Sequence, residues 1–153
     1  MPEALKSQHL FTISIKVDPP VMLGATPFGD RRIVRVRGGT FEGPRIKGTV
    51  QEGGGDWILG RNDGVLQLDV RLNLVTDDGH VVYMTYRGLR HGPKEVIDRL
   101  GRGEAVDPGE YYFRVAPFFE TGSDKYAWIN GVVAVGVGDR RADGPVYVVH
   151  EIL

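Results

Sequence analysis

The sequence predicts an all-β protein: an antiparallel closed or nearly closed β-barrel of about eight strands with one short α-helix. Three observations carry that reading. From 66 to 74, Leu66, Leu68, Val70, Leu72 and Leu74 alternate strictly with Gln67, Asp69, Arg71 and Asn73, the period-two signature of a strand with one apolar and one polar face. Asp78-Gly79 then interrupts the chain before VVYMTYRG resumes, so 65–75 and 80–88 form a hairpin across an Asp-Gly turn and antiparallel pairing is built in. Glycine is abundant, 22 of 153 residues, about twice the usual share, as expected of short strands joined by tight turns.

The remaining elements follow in order. β-Branched and aromatic runs at 10–17, 31–37, 46–51, 111–119, 128–137 and 146–152 are each bounded by Gly, Pro or Asp, and with the hairpin they make about eight strands. One segment differs: Pro93 suits a first helical turn, Glu95 adds favourable negative charge there, and Val96, Ile97 and Leu100 recur at helical spacing before Gly101 and Gly103. Regular strand spacing with a single helix favours a barrel over a sandwich, although periodicity does not separate the two. A barrel of this size either fills with side chains or holds one small ligand. Period two leaves open which face of 65–75 lines the interior.

Composition excludes several function classes. At 153 residues the chain is one domain, 1–153, with room for a sizeable core. Without cysteine it has no disulfide, thiolate metal site or thiol nucleophile. A net charge of −1, from 19 basic and 20 acidic residues, provides no global field for nucleic acid or anionic lipid. The clusters Arg31-Arg32, Arg35, Arg37 and Arg140-Arg141 are interrupted by apolar residues or acids, so no nucleic-acid partner is expected. Apolar runs are short and no signal-peptide order opens the chain, so a soluble, cytoplasmic protein without membrane association is expected.

Certain motifs go beyond fold class. The chain reads GGTFEGPRIKGTVQEGGGDW at 38–57, DGV at 63–65, LDVR at 68–71, TDDG at 76–79, EYYFRVAPFFETG at 110–122, YAWIN at 126–130 and VGVGDRR at 135–141. In this order, over about 8–153, they resemble the DUF3237 family, also called UPF0311. The resemblance implies a small barrel similar to allene oxide cyclase and dirigent proteins, which shape small apolar substrates without metal or organic cofactor. It implies no defined reaction, and no catalytic residue is carried over from it.

Candidate site residues come from faces shared along strands. Asp69 and Arg71 lie on one face, Tyr83, Thr85 and Arg87 on one face of the hairpin partner. Pointing into a lumen together, they would hold a carboxylate beside guanidinium groups and a phenol, suited to proton abstraction and oxyanion stabilisation. Pointing outward, they form a solvated cross-strand ion pair. Tyr112 and Arg114 share a face, as do Tyr126, Trp128 and Asn130; such faces suit a flat apolar ligand with one or two oxygens, or an ordinary barrel core. Gly53-Gly54-Gly55-Asp56-Trp57 reads as a pocket mouth with an aromatic wall and a polar contact, or as a hairpin turn with a packed indole. It lacks the lysine and helix of a phosphate loop. Glu120 is a second carboxylate candidate near a strand end, or a turn residue.

His9, His80, His91 and His150 show no ligand spacing, so no metal site is expected. His150 shares its face with Val146, Val148 and Ile152, as a core histidine or an acid–base group. No serine sits in a G-x-S-x-G elbow. The leading expectation is a cofactor-free barrel enzyme moving a proton on a small aromatic or unsaturated carbonyl compound, of isomerase, cyclase or hydratase/lyase type. Asp69 serves as proton carrier, Arg71 and Arg114 bind the carbonyl oxygen or a carboxylate, Tyr83 and Tyr112 polarise it, and Trp57 and Trp128 wall the ring. Asp56, Arg87, Asn130 and His150 complete the substrate contacts. A lipocalin-like carrier is the alternative, and a filled structural oligomerisation domain the third reading. A homo-oligomer is expected, since an exposed leucine face or edge strand calls for covering.

Overall fold

The computed structural model describes residues 2–153 and consists of ten strands, one α-helix and two short 3-10 turns. The strands are β1 (Ser7–Val17), β2 (Val21–Thr26), β3 (Gly29–Glu42), β4 (Lys47–Val50), β5 (Gly55–Gly60), β6 (Leu66–Thr76), β7 (Val81–His91), β8 (Tyr112–Glu120), β9 (Ala134–Arg141) and β10 (Gly144–Ile152). The helix α1 (Lys94–Gly101) begins after Pro93 and buries Val96 and Leu100, as its periodicity predicts. Every pairing is antiparallel, and β1 meets both β10 and β3, which closes a barrel. β4 and β5 together make one broken stave between β3 and β6, giving eight staves. β2 runs past the closure and pairs only with β3.

Eight predicted segments are present, with one boundary corrected: 128–137 divides into a 3-10 turn at Ala127–Gly131 and a strand that begins at Ala134. β2 and β5 lie outside the predicted strands. Pro19-Pro20 and Gly24, at φ +82°, disguise the first, and flanking glycines shorten the second. No helix among the described residues is long and apolar enough to cross a membrane.

The hairpin register decides which face is interior. Leu68, Val70, Leu72 and Leu74 are at most 5% exposed and point into the barrel, whereas Asp69 and Arg71 are exposed on its outer wall. Each buried aliphatic side chain is worth about 1.5–3 kcal/mol, so a one-residue slip, which would exchange the faces, is strongly disfavoured. Two glycines make the closure and the interior possible. Gly144 has φ +143°, and a Cβ there would lie 1.9 Å from the Ile15 carbonyl oxygen across the β1 junction. At Gly138 a Cβ would lie 2.6 Å from the Phe113 ring, so its absence lets that ring sit inside.

The two barrel ends differ. At one, Phe11 packs edge-on against Phe41 and Phe119 at centroid distances of 5.4 and 5.8 Å, while Ile129 and Tyr126 from the 3-10 turn region complete a solid core. At the other, reached by the starts of β3, β6 and β8 and the ends of β1, β7 and β9, the interior is not filled.

Candidate functional site

The unfilled end holds a cavity of about 170 Å³. Its walls are apolar: Val34 and Val36 of β3, Ile58 of β5, Leu66, Leu68 and Val70 of β6, and Phe113 of β8. Strand parity places each of them, since every second residue of a half-buried strand faces inward. The same parity carries four polar side chains inside. Asp56 sits two residues from Ile58, Arg32 two from Val34, Tyr86 opposite Val70, and Arg90 opposite Leu66. Arg140 of β9 reaches the mouth from the far side.

Asp56 is the one carboxylate set deep among these walls. One of its oxygens accepts a hydrogen bond from the Asp69 backbone N–H at 3.1 Å, and the other has no partner within the protein among the described residues. Burial raises its pKa from the ordinary carboxylate range to about 7, and the neighbouring Asp69 charge adds to the rise. The Asp69 amide and the Arg90 charge oppose it, but burial dominates. Tyr86 packs edge-on against Tyr147 at 5.2 Å, and burial raises both phenols above their ordinary values, so both are neutral hydroxyls at physiological pH. The Tyr147 hydroxyl has no hydrogen-bond partner of good geometry.

The arginines are arranged unlike surface ion pairs. Arg90 lies 5.8 Å over the Phe113 ring, its Nε is buried without a partner, and it forms no salt bridge among the described residues. Burial and then the like charges of Arg140 and Arg32 press its pKa down, though a guanidinium remains charged. Arg32 shares one nitrogen with Asp30 at 3.4 Å while its Nε is likewise buried and unpartnered.

The residues singled out from the sequence are distributed differently. Their register does bring Asp69 opposite Arg87, Arg71 opposite Thr85, and Asn73 opposite Tyr83, as shared faces require. That face is the outer wall: Asp69, Arg71, Tyr83 and Arg87 line a shallow exterior groove with Phe118. The lumen geometry expected of them is therefore corrected, because the leucines of β6 took the interior. Tyr112 and Arg114 are also outside; Tyr112 stacks on His91 at 4.8 Å and Arg114 lies over Tyr112 at 4.9 Å.

Trp57 is 40% exposed on the face opposite Asp56, with its carbonyl accepting from Arg31. Trp128 is covered by the Arg45 guanidinium at 3.9 Å, and Arg45 in turn pairs with the buried Glu151. Asn130 clamps the backbone of Thr121 through both of its amide atoms, at 2.7 and 3.0 Å. His150 meets His9 on the outside at 6.1 Å, and Glu120 is exposed at the end of β8. Asp56 alone of the expected set enters the cavity. Arg32, Tyr86, Arg90, Arg140 and Tyr147 were missed. A signal for Tyr86 and Arg90 existed: with the leucines inside, the hairpin register across Asp78-Gly79 carries both inward.

Comparison with known proteins agrees with this architecture. A family model described as a protein of unknown function, DUF3237, matches residues 5–152, and the chain belongs to that family. A UPF0311 protein of Rhodopseudomonas palustris is 38% identical over all of both chains, and the crystal structure of that protein superposes with a TM-score of 0.95, covering 99% of this chain and 100% of that one. A structure from Acinetobacter baumannii, described as a beta-barrel like protein, is 37% identical with a TM-score of 0.86 over 100% of this chain and 99% of its own. A structure described as an enzyme from Penicillium herquei shares the fold at 22% identity, with a TM-score of 0.74 over 100% and 98%.

Proposed function

We propose that this DUF3237 member is a cofactor-free enzyme that moves a proton on a small aromatic or unsaturated carbonyl compound, by isomerase, cyclase or hydratase/lyase chemistry, with Asp56 as the proton carrier. The supporting observation is an interior carboxyl of pKa about 7, facing an apolar cavity beneath guanidinium groups. A carrier tuned to the working pH serves as base and acid in one cycle. In the simplest form, ionised Asp56 takes a proton from carbon beside the substrate carbonyl, and the electron pair moves onto the carbonyl oxygen. Arg90 holds that oxygen as charge develops. With a double bond one carbon further along, Asp56, its proton exchanging with solvent in the meantime, then delivers a proton to the carbon two positions along, so the double bond has moved and no co-reactant is consumed. The Penicillium herquei structure, called an enzyme, is consistent with catalysis in this fold.

The test is a panel of enones and aromatic carbonyls with wild type and Asp56→Asn. Turnover is expected to fall at least about a hundredfold in the variant, since general acid–base groups contribute about 10²–10⁴. An unchanged rate removes Asp56 from the role. The carrier reading draws on the same apolar cavity, and a ligand recovered chemically unaltered after long incubation would favour it. The filled oligomerisation domain has less support, because one end of this barrel is open space.

A further inference from the structure

We propose that the cavity is built for an anion, a carboxylate carried on a body about the size of one six-membered ring, with Arg90 and Arg140 receiving the carboxylate at the mouth. The inference rests on the cavity being the ligand site and deepens the reading above by naming the class of ligand.

Three features of the cavity point to such a ligand. The first is uncompensated charge. Arg32, Arg90 and Arg140 come from three different strands to one opening, close enough that Arg140 and Arg32 each act on the charge of Arg90. Like charges gathered this way repel, and bringing a guanidinium out of water is costly unless something of opposite sign meets it. Inside the protein little does: Arg90 and Arg140 take part in no salt bridge among the described residues, and Asp18 at the rim pairs with neither. Asp56 is partly protonated near neutrality and cannot serve as their full counterion.

The second is unused hydrogen-bonding capacity. The Nε atoms of both Arg32 and Arg90 are sealed in the wall without partners, whereas the large majority of buried polar side-chain atoms in folded proteins are satisfied, so the protein leaves these guanidinium groups under-satisfied and their terminal nitrogens are what the cavity offers to a ligand. Guanidinium edges match the two oxygens of a carboxylate, which accepts parallel hydrogen bonds. The third is size. A dry cavity of about 150 Å³ accommodates benzene, so about 170 Å³ lined by valine, leucine, isoleucine and phenylalanine fits one ring under such a head group.

Equilibrium binding tests this without any turnover, by calorimetry or NMR titration of the full-length protein with benzoate and with nitrobenzene, its neutral isostere. Benzoate is expected to bind at least about tenfold more tightly than nitrobenzene, in keeping with a charge-assisted hydrogen-bonded pair. Arg90→Gln should remove at least about tenfold of benzoate affinity and leave nitrobenzene unchanged, with Arg90→Lys recovering part of the loss. Equal binding of the two probes, or no benzoate binding at millimolar concentration, overturns the anion assignment. That comparison uses only wild type, so it stands even if an Arg90 variant fails to fold. Failure of the enzyme reading would look different: benzoate preferred and held by Arg90, but no carbonyl compound altered by wild type.

Discussion

Replacing Asp56 by asparagine should change the pH dependence of stability in a calculable way. The carboxyl has a pKa of about 7 in the fold against 3.8 for an unperturbed aspartate. Below both values it is protonated in folded and unfolded chains alike and contributes nothing. As pH rises from about 4, the unfolded chain releases its proton first and the folded one does not, so the native state loses stability until about pH 7, beyond which both are ionised. A difference of about three pKa units, at about 1.36 kcal/mol each, makes the loss about 4 kcal/mol in the wild type. The asparagine side chain would keep an oxygen for the Asp69 amide but cannot ionise. Urea unfolding of both proteins at unit steps from pH 4 to 8 isolates the effect, because other groups cancel in the difference. The variant's relative stability should climb by about 1.4 kcal/mol per pH unit and level off above 7. A flat difference would mean that Asp56 titrates as a surface carboxylate, and the argument from its burial would fail.

Further predictions concern the walls and the surface. Asp69→Asn, on the outer wall, should keep turnover within about threefold while lowering the acid–base midpoint, since the Asp69 charge helps to raise Asp56; a hundredfold loss would put the chemistry outside the barrel. Gly138→Ala should cost about 1–3 kcal/mol in chemical denaturation because its methyl would press on the Phe113 ring, and an unchanged midpoint would show that the ring has room to move. Leu72→Ala, fully inside the closed half, should cost about 2–5 kcal/mol, whereas a value below about 1 would contradict the inward face of β6. β2 leaves Val21, Met22 and Leu23 exposed, so equilibrium sedimentation at micromolar concentration should show a species heavier than 16.9 kDa; a monomer alone would refute the expected homo-oligomer.

Strong local patterns made much of the fold legible. The alternation in β6 and the Asp78-Gly79 turn specify a hairpin with no help from the rest of the chain, and Pro93, Glu95 and the Val96/Leu100 spacing specify α1. β5 was hidden because GDWILG is short and bracketed by glycine, and its strand character comes from pairing with β3 and β6 on either side. The site was harder to see, for a related reason. Asp69 and Arg71 are as regularly spaced as the leucines between them, and one strand read alone does not say which set the closed barrel will bury. The leucines' transfer energy decides it, and the decision moves the polar interior to residues of other strands. Arg90 follows from β6 through the hairpin register. Arg140 and Tyr147 do not, since residues 134–138 of β9 and 146–149 of β10 put small or apolar side chains on both faces and their orientation is set by closure with β1.

Deuterium uptake from solvent reads proton transfer by Asp56 at the reacting carbons themselves. Single-ring enones incubated with the protein in D2O should gain deuterium beside and beyond the carbonyl faster than in buffer, and Asp56→Asn should bring the rate back to the buffer value while Asp69→Asn does not. Exchange no faster than buffer across the panel, or equal exchange with Asp56→Asn, would contradict proton transfer by Asp56 inside this barrel.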